Sequence, residues 1–117
     1  MASTGIITVS DRSSKGERTD ASGPVIRDWA EKMGFKIDEE IIIPDDTEII
    51  KETLIKLSDR GVNLIFTTGG TGFAPRDNTP EATKAVLEKE APGFAEAMRR
   101  KSMEITPHAM LSRAVSG

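Results

Sequence analysis

Cysteine is absent from the 117-residue chain. Its absence excludes disulfides, a thiol nucleophile and a thiolate-bound metal, and fits the reducing cytosol expected of a cytoplasmic protein. A strong charge of one sign is missing too: 16 Lys+Arg against 19 Asp+Glu leave a net charge of −3 and a pI near 5.2. Nucleic-acid binders carry a basic field, so nucleic acid is not an expected partner. No apolar run approaches the length needed to cross a bilayer, and no membrane partner is expected. Met1-Ala2-Ser3-Thr4 leads into a short β-type run rather than a basic region and a long apolar one, so no signal peptide is expected. Repeats, low-complexity tracts and linker-like segments are also missing, which leaves a single domain over residues 1–117. The one histidine, His108, falls in an amphipathic segment and reads as structural or exposed rather than catalytic.

A chain of this length sits near the commonest domain size and can bury roughly two-thirds of its unfolded surface. The apolar pattern orders it. Thr4 to Ser10 is short and β-branched, as a buried strand would be. Asp11 to Gly23 is polar and reads as a loop. Pro24 to Met33 spaces Val25, Ile26, Trp29, Ala30 and Met33 along one helical face, which is expected to be core, with Gly34 in the usual C-terminal position. Phe35 to Pro44 is strand-like. Asp46 to Arg60 carries Ile49, Ile50, Thr53, Leu54 and Leu57 at helical spacing and is closed by Gly61. Val62 to Thr68 is a third strand. Pro80 to Glu90 reads as a helix with Thr79 as its N-cap. Pro92 opens another, with Phe94, Ala97 and Met98 expected inward, and Pro107 to Arg113 reads as a helical turn. Alternation of strand and helix implies an α/β fold with a parallel sheet and right-handed crossovers.

The densest chemistry lies in Thr67-Thr68-Gly69-Gly70-Thr71-Gly72-Phe73-Ala74-Pro75-Arg76-Asp77-Asn78-Thr79-Pro80. Closely spaced glycines allow positive φ and close approach of backbone to a ligand, and their N–H groups form an anion-binding concavity. Asp77 adds a carboxylate where a phosphate-bound magnesium ion would need one. In strand order 2-1-3, ligands bind beyond the carboxyl ends of the first and third strands. The loops after all three strands would therefore bring Asp11, Asp20, Asp45, Asp46 and Asp77 toward one rim, with Arg12 and Arg76. Such a set suits magnesium-dependent chemistry on phosphates. Plainer readings stand beside it. Asp45 or Asp46 before a helix can be an N-cap, Asp11 and Asp20 can cap turns, and Arg76-Asp77 can be a local ion pair. The glycine turn is neither a Walker loop nor the dinucleotide GxGxxG. Asp59, Arg60, Arg99, Arg100 and Lys101 read as solvated surface.

Five blocks of the chain closely resemble, in order, the molybdenum-cofactor biosynthesis family: bacterial molybdopterin adenylyltransferases of the MogA/MoaB kind, their plant counterparts and the N-terminal domain of gephyrin. They are Ser10-Asp11-Arg12, Asp20-Ala21-Ser22-Gly23-Pro24, Ile43-Pro44-Asp45-Asp46, Leu64 to Ala91, and Met110-Leu111-Ser112-Arg113. The resemblance implies the molybdopterin-binding fold, a three-layer α/β/α sandwich with a mainly parallel sheet whose first three strands run 2-1-3. It implies Mg-ATP-dependent adenylylation of molybdopterin, with Mg2+, ATP and molybdopterin in the site and pyrophosphate released. By similarity, Asp45 and Asp77 match two catalytic aspartates acting through the metal. Gly69, Gly70, Thr71 and Gly72 match the phosphate cradle, and Ser10, Asp11, Asp20, Ser22 and Ser112 fall in the other pocket blocks.

The family assembles as trimers, so a homotrimer is expected, with hand-over of product to a molybdenum-insertion enzyme. The alternatives are a non-catalytic trimeric molybdopterin carrier or scaffold domain, or a pterin-binding domain of an insertion enzyme. Two departures stand out. Asn78 occupies a position where the family commonly has valine. The family also continues with another strand, an Asn-Leu-Pro-Gly type loop and a closing helix, which the single domain is expected to lack.

Overall fold

The computed structural model describes residues 2–16 and 22–117. Its centre is β1 (Ser3–Val9), whose last six residues are all buried. A strand covered on both faces has no polar side to present, which is why it is read from a run of β-branched residues rather than an alternation. β2 (Lys36–Ile43) and β3 (Leu64–Thr68) flank it, both parallel, in the order β2-β1-β3. The register against β2 slips once, between Thr4 and Gly5.

Moving from β1 first to one side and then across to the other places the two crossover helices on opposite faces. α1 (Asp11–Ser14) is a single turn after β1, capped by the Ser10 hydroxyl, which accepts from the Ser13 N–H. α2 (Ser22–Lys32) covers one face. α3 (Thr47–Asp59) and α4 (Thr79–Val86) pack together on the other, where Ile7, Val9, Ile43, Ile50, Leu54, Leu57 and Ala82 form the core. α5 (Pro92–Met103) and a 3-10 turn (Pro107–Leu111) follow, and α5 packs against that turn. The α/β class, the parallel sheet and its strand order are those expected. No helix among the described residues is long and apolar enough to cross a membrane.

Several local expectations fail for identifiable reasons. The segment after β1 is not all loop, because Ser10 caps one helical turn there. Trp29 is not core: it is 48% exposed, although its ring meets Phe66 edge-on at 5.7 Å. It lies over β3, whose residues are all only partly covered, so burial at this margin is incomplete. Val25 and Met33 are exposed as well, and Ala30 is the fully buried residue of that helix face. Thr79 is not the N-cap of α4; it lies inside the helix, buried, and its hydroxyl donates to the Gly69 carbonyl at 2.9 Å. The helix also stops at Val86. On α5 the inward face is inverted: Phe94 and Met98 are exposed, while Ala95 is buried and its N–H donates to the Ser116 hydroxyl at 3.1 Å. Contact with the returning C-terminal segment, which helical periodicity does not report, selects the small residue.

That inversion has a measurable consequence. Ala95→Leu should destabilise the protein by about 1–3 kcal/mol through overpacking. Ala97→Leu, on the exposed face, should stay within about 0.5 kcal/mol of wild type in the same urea titration.

Candidate active site at the strand ends

β1, β2 and β3 all end at one edge, and a cleft of about 500 Å³ opens there. Ser10 and Asp11 reach it from β1, Asp45 from β2, and Gly69 and Gly70 from β3; Arg76 and Asp77 close the rim. This is the position where a chain that reverses strand order leaves a crevice.

Asp45 and Asp46 follow the same strand and part company. Asp46 is the ordinary N-cap of α3, its carboxylate accepting from the N–H groups of Glu48 and Ile49. Asp45 does no capping. It is only 5% exposed, and its Oδ1 accepts the Asn78 N–H at 3.0 Å. No described residue donates a recorded hydrogen bond to its Oδ2. Burial pushes the Asp45 carboxyl above its ordinary value, and the neighbouring charges of Asp77 and Asp11 push the same way, against the Asn78 N–H and Arg76.

The glycines explain how the third loop comes so close. Gly69 has φ +94°, and a Cβ on it would lie 2.1 Å from the Val9 carbonyl oxygen. Gly70 has φ +69°, and its Cβ would lie 2.3 Å from Thr79 Oγ1 and 2.7 Å from Asp45 Oδ2. Only residues without a Cβ let the chain leaving β3 turn back against the ends of both β1 and β2. At Gly72 a Cβ would meet Asp77 Oδ2 at 2.7 Å. That oxygen instead accepts the Ala74 N–H at 3.0 Å, which folds the Asp77 side chain back onto its own loop.

Arg76 does not pair with Asp77. Its Nε donates to Asp11 Oδ2 at 2.7 Å and its NH2 group to Asp11 Oδ1 at 3.0 Å, a two-pronged contact between loops 65 residues apart. Asp11 Oδ1 also accepts the Asp45 N–H at 3.0 Å, so one carboxylate joins all three loops.

Of the residues expected in the site, Ser10, Asp11, Ser22, Asp45, Gly69, Gly70 and Asp77 line the cleft. Thr68 Oγ1 donates to the Ser22 hydroxyl at 3.2 Å across its floor. Thr71, Gly72 and Ser112 are not on its wall. Arg113 holds that part of the loop: its backbone N–H donates to the Thr71 carbonyl at 2.8 Å and its Nε to the Gly72 carbonyl at 2.7 Å. Asp20 lies outside the described residues.

Arg113 falls in the last of the family blocks, but sequence reasoning assigned it no role. It further donates to the Asp77 carbonyl at 2.9 Å, pairs with Glu81, and sits 5.4 Å from the Phe73 ring centre. Its guanidinium thus clamps the whole turn before α4. Local pattern does not reveal that role, since its partners lie 32 to 42 residues away. Arg99, expected as solvated surface, instead donates to the Ala114 carbonyl at 2.8 Å and holds the same segment from the other side.

The chain is similar to known proteins in sequence and in fold. Residues 5–117 match a family described as a probable molybdopterin binding domain. The chain belongs to this family. Similar proteins include the molybdopterin adenylyltransferase of Haemophilus influenzae, 45% identical over 95% of this chain and 58% of that protein. Gephyrin of Dictyostelium discoideum is 42% identical over 97% of this chain and 17% of its own length. Among solved structures, the molybdopterin biosynthesis enzyme MoaB of Thermus thermophilus superimposes with a TM-score of 0.93 at 46% identity, covering all of this chain and 74% of that one. The tungsten cofactor synthesizing protein MoaB of Pyrococcus furiosus gives a TM-score of 0.90 at 38% identity, covering 99% and 72%. The chain spans 58% of the length of the bacterial adenylyltransferases of Haemophilus influenzae and Escherichia coli. The fold of this chain is therefore the molybdopterin-binding fold.

Two tests bear on the geometry alone. Gly16 and Gly69 both have positive φ, but no described residue lies within 4 Å of a Cβ at Gly16. Gly16→Ala should cost only about 1 kcal/mol of backbone strain, whereas Gly69→Ala, driven into the β1 main chain, should abolish soluble folded protein on expression.

The second test is acid. The Arg76 hydrogen bonds foremost, with the Asp45 N–H, hold the Asp11 carboxyl at about 2, below its ordinary 3.8 and against the effect of burial. A carboxyl depressed by folding adds stability above its unfolded value and loses it as pH falls through the folded one. Stability should therefore drop between about pH 4 and about pH 2, and Asp11→Asn should flatten that part of the profile in acid unfolding followed by circular dichroism.

Proposed function

We propose that this cleft transfers an adenylyl group from Mg-ATP to the phosphate of molybdopterin. The observation that carries the reading is that Asp45 and Asp77, from loops after different strands, both line the cleft at the strand-order reversal, together with Arg76. The names of the similar bacterial proteins support the same reaction.

In this reaction an oxygen of the pterin phosphate forms a bond to the α-phosphorus of ATP. The bond from that phosphorus to the bridging oxygen breaks, and pyrophosphate leaves with the bonding electrons. The attacking oxygen is already anionic, so the protein needs no strong base; it contributes position and charge.

The carboxylates fit a magnesium ion that arrives on the nucleotide. Asp45 Oδ2 receives no recorded hydrogen bond from the described residues and faces Gly70 across space that a Cβ would fill. Among the described residues no group of three or more carboxylate, imidazole or thiolate ligands is assembled, so a resident all-protein metal site is not supported. Magnesium takes one or two carboxylates and completes its shell with water and substrate phosphates, which is what two aspartates can serve. Asp45 and Asp77 would hold the ion, which neutralises charge on the phosphates when bound. Arg76, 61% exposed at the rim, and Arg12 would meet the phosphate oxygens, Arg76 by exchanging one carboxylate partner for another anion. Ser10, Ser22 and the turn of Gly69 and Gly70 would line the bound substrates.

A homotrimer in the cytoplasm, passing its product to a molybdenum-insertion enzyme, belongs to the same reading. Asp77→Asn is expected to lower turnover by about 10²–10³-fold while molybdopterin binding persists, as read by chromatography of adenylylated pterin beside equilibrium binding. Unchanged turnover would remove Asp77 from its role. Pterin binding with no adenylylated product from the unmodified protein would instead favour the carrier or scaffold reading.

A further inference from the structure

Asn78 stands at the N-cap position of α4, where an asparagine ordinarily spends its side-chain oxygen on the first N–H groups of the helix, worth about 1 kcal/mol. Here it makes no such bond. Its side-chain nitrogen turns away from the helix and donates to two main-chain carbonyls, those of Asp45 and Arg76, each at 3.2 Å. Its backbone N–H meanwhile donates to Asp45 Oδ1 at 3.0 Å. We propose that Asn78 is a positioning residue for the reaction, its amide fixing the spacing between Asp45 and the Arg76-Asp77 segment at the expense of the helix cap.

Connectivity assigns this role. Asp45 and Asp77 arrive on loops that follow different strands, so the distance between them is not set by either strand. Two links close the gap. One runs through Asp11, which accepts from the Asp45 N–H and from the Arg76 guanidinium. The other is Asn78, which bridges the main chains directly. The first link is exposed at Arg76 and must loosen if that guanidinium is to meet a phosphate, whereas Asn78 is half-buried and its bonds are to carbonyls that a substrate does not compete for. During turnover Asn78 is then the side chain that still holds the two aspartates in register. Outer partners of this kind typically change activity or metal affinity by about 10–100-fold when removed.

The inference rests on the adenylyl-transfer reading, and two variants test it on the full chain. Asn78→Leu keeps the branching at Cγ, the length and the backbone bond but has no donor. Asn78→Ser is a strong helix cap and too short to span both carbonyls. Both should lose about 10–100-fold in kcat with KM for molybdopterin unchanged, and both should bind Mg-ATP more weakly by calorimetry. Asn78→Ser should keep the wild-type melting temperature.

Wild-type kcat in Asn78→Ser, or unaltered Mg-ATP affinity in either variant, would overturn the positioning role. A loss of activity that merely follows a lowered melting temperature in both would do the same. If the unmodified protein makes no adenylylated product, the reaction reading falls by itself, and the calorimetric comparison still decides Asn78.

Discussion

A nearly buried carboxylate, Asp45, is the point on which the site depends. Removing a carboxylate from water is tolerable only when hydrogen bonds replace the lost hydration. Asp45 obtains its partner from another loop: Oδ1 takes the Asn78 N–H. Its main chain is tied down as well, the N–H by Asp11 and the carbonyl by the Asn78 amide. Every one of these contacts crosses from one strand end to another. Apolar packing reaches the last residues of β1 and β2, Val9 and Ile43, and beyond them the loops after the three strands are held together by polar bonds around one acid.

That arrangement explains why the glycines are where they are. A phosphate cradle is the usual reason to find Gly-Gly after a parallel strand. In this protein the first demand on Gly69 and Gly70 is space, because a Cβ on either would enter the Val9 main chain, the Thr79 hydroxyl or the Asp45 carboxylate. The two explanations are compatible. A loop that approaches its neighbours without side chains also offers its backbone to whatever enters the cleft. Thr79 completes the turn, its hydroxyl and its N–H contacting the carbonyls of Gly69 and Gly70.

The C-terminal segment contributes from outside. Arg113 reaches the carbonyls of Thr71, Gly72 and Asp77, while Arg99 secures the segment through the Ala114 carbonyl. The loop bearing Asp77 is thereby pinned on the cleft side by Asn78 and on the far side by Arg113. Such double fixation suits chemistry that relies on position and charge more than on proton transfer.

Much of this was legible in the chain. The β-branched runs, the helix breaks at Gly34 and Gly61 and the alternation of elements determined the class, the parallel sheet and the edge where loops meet. They did so because periodicity and turn chemistry are local. Topology pointed Asp11, Asp20, Asp45, Asp46 and Asp77 toward one rim; Asp11, Asp45 and Asp77 line the cleft, Asp46 caps α3 instead, and Asp20 lies outside the described residues. The tertiary structure decided the rest. Asp45 and Asp46 are identical as letters, and only the packing of the β3 loop makes one a buried acid and the other a helix cap. Arg76 chose Asp11 over its sequence neighbour, Asn78 gave up its cap for two carbonyls, and Ala95 rather than Phe94 turned inward. Each of these choices compares a local partner with one that is distant in sequence, and only the folded chain brings the second into reach.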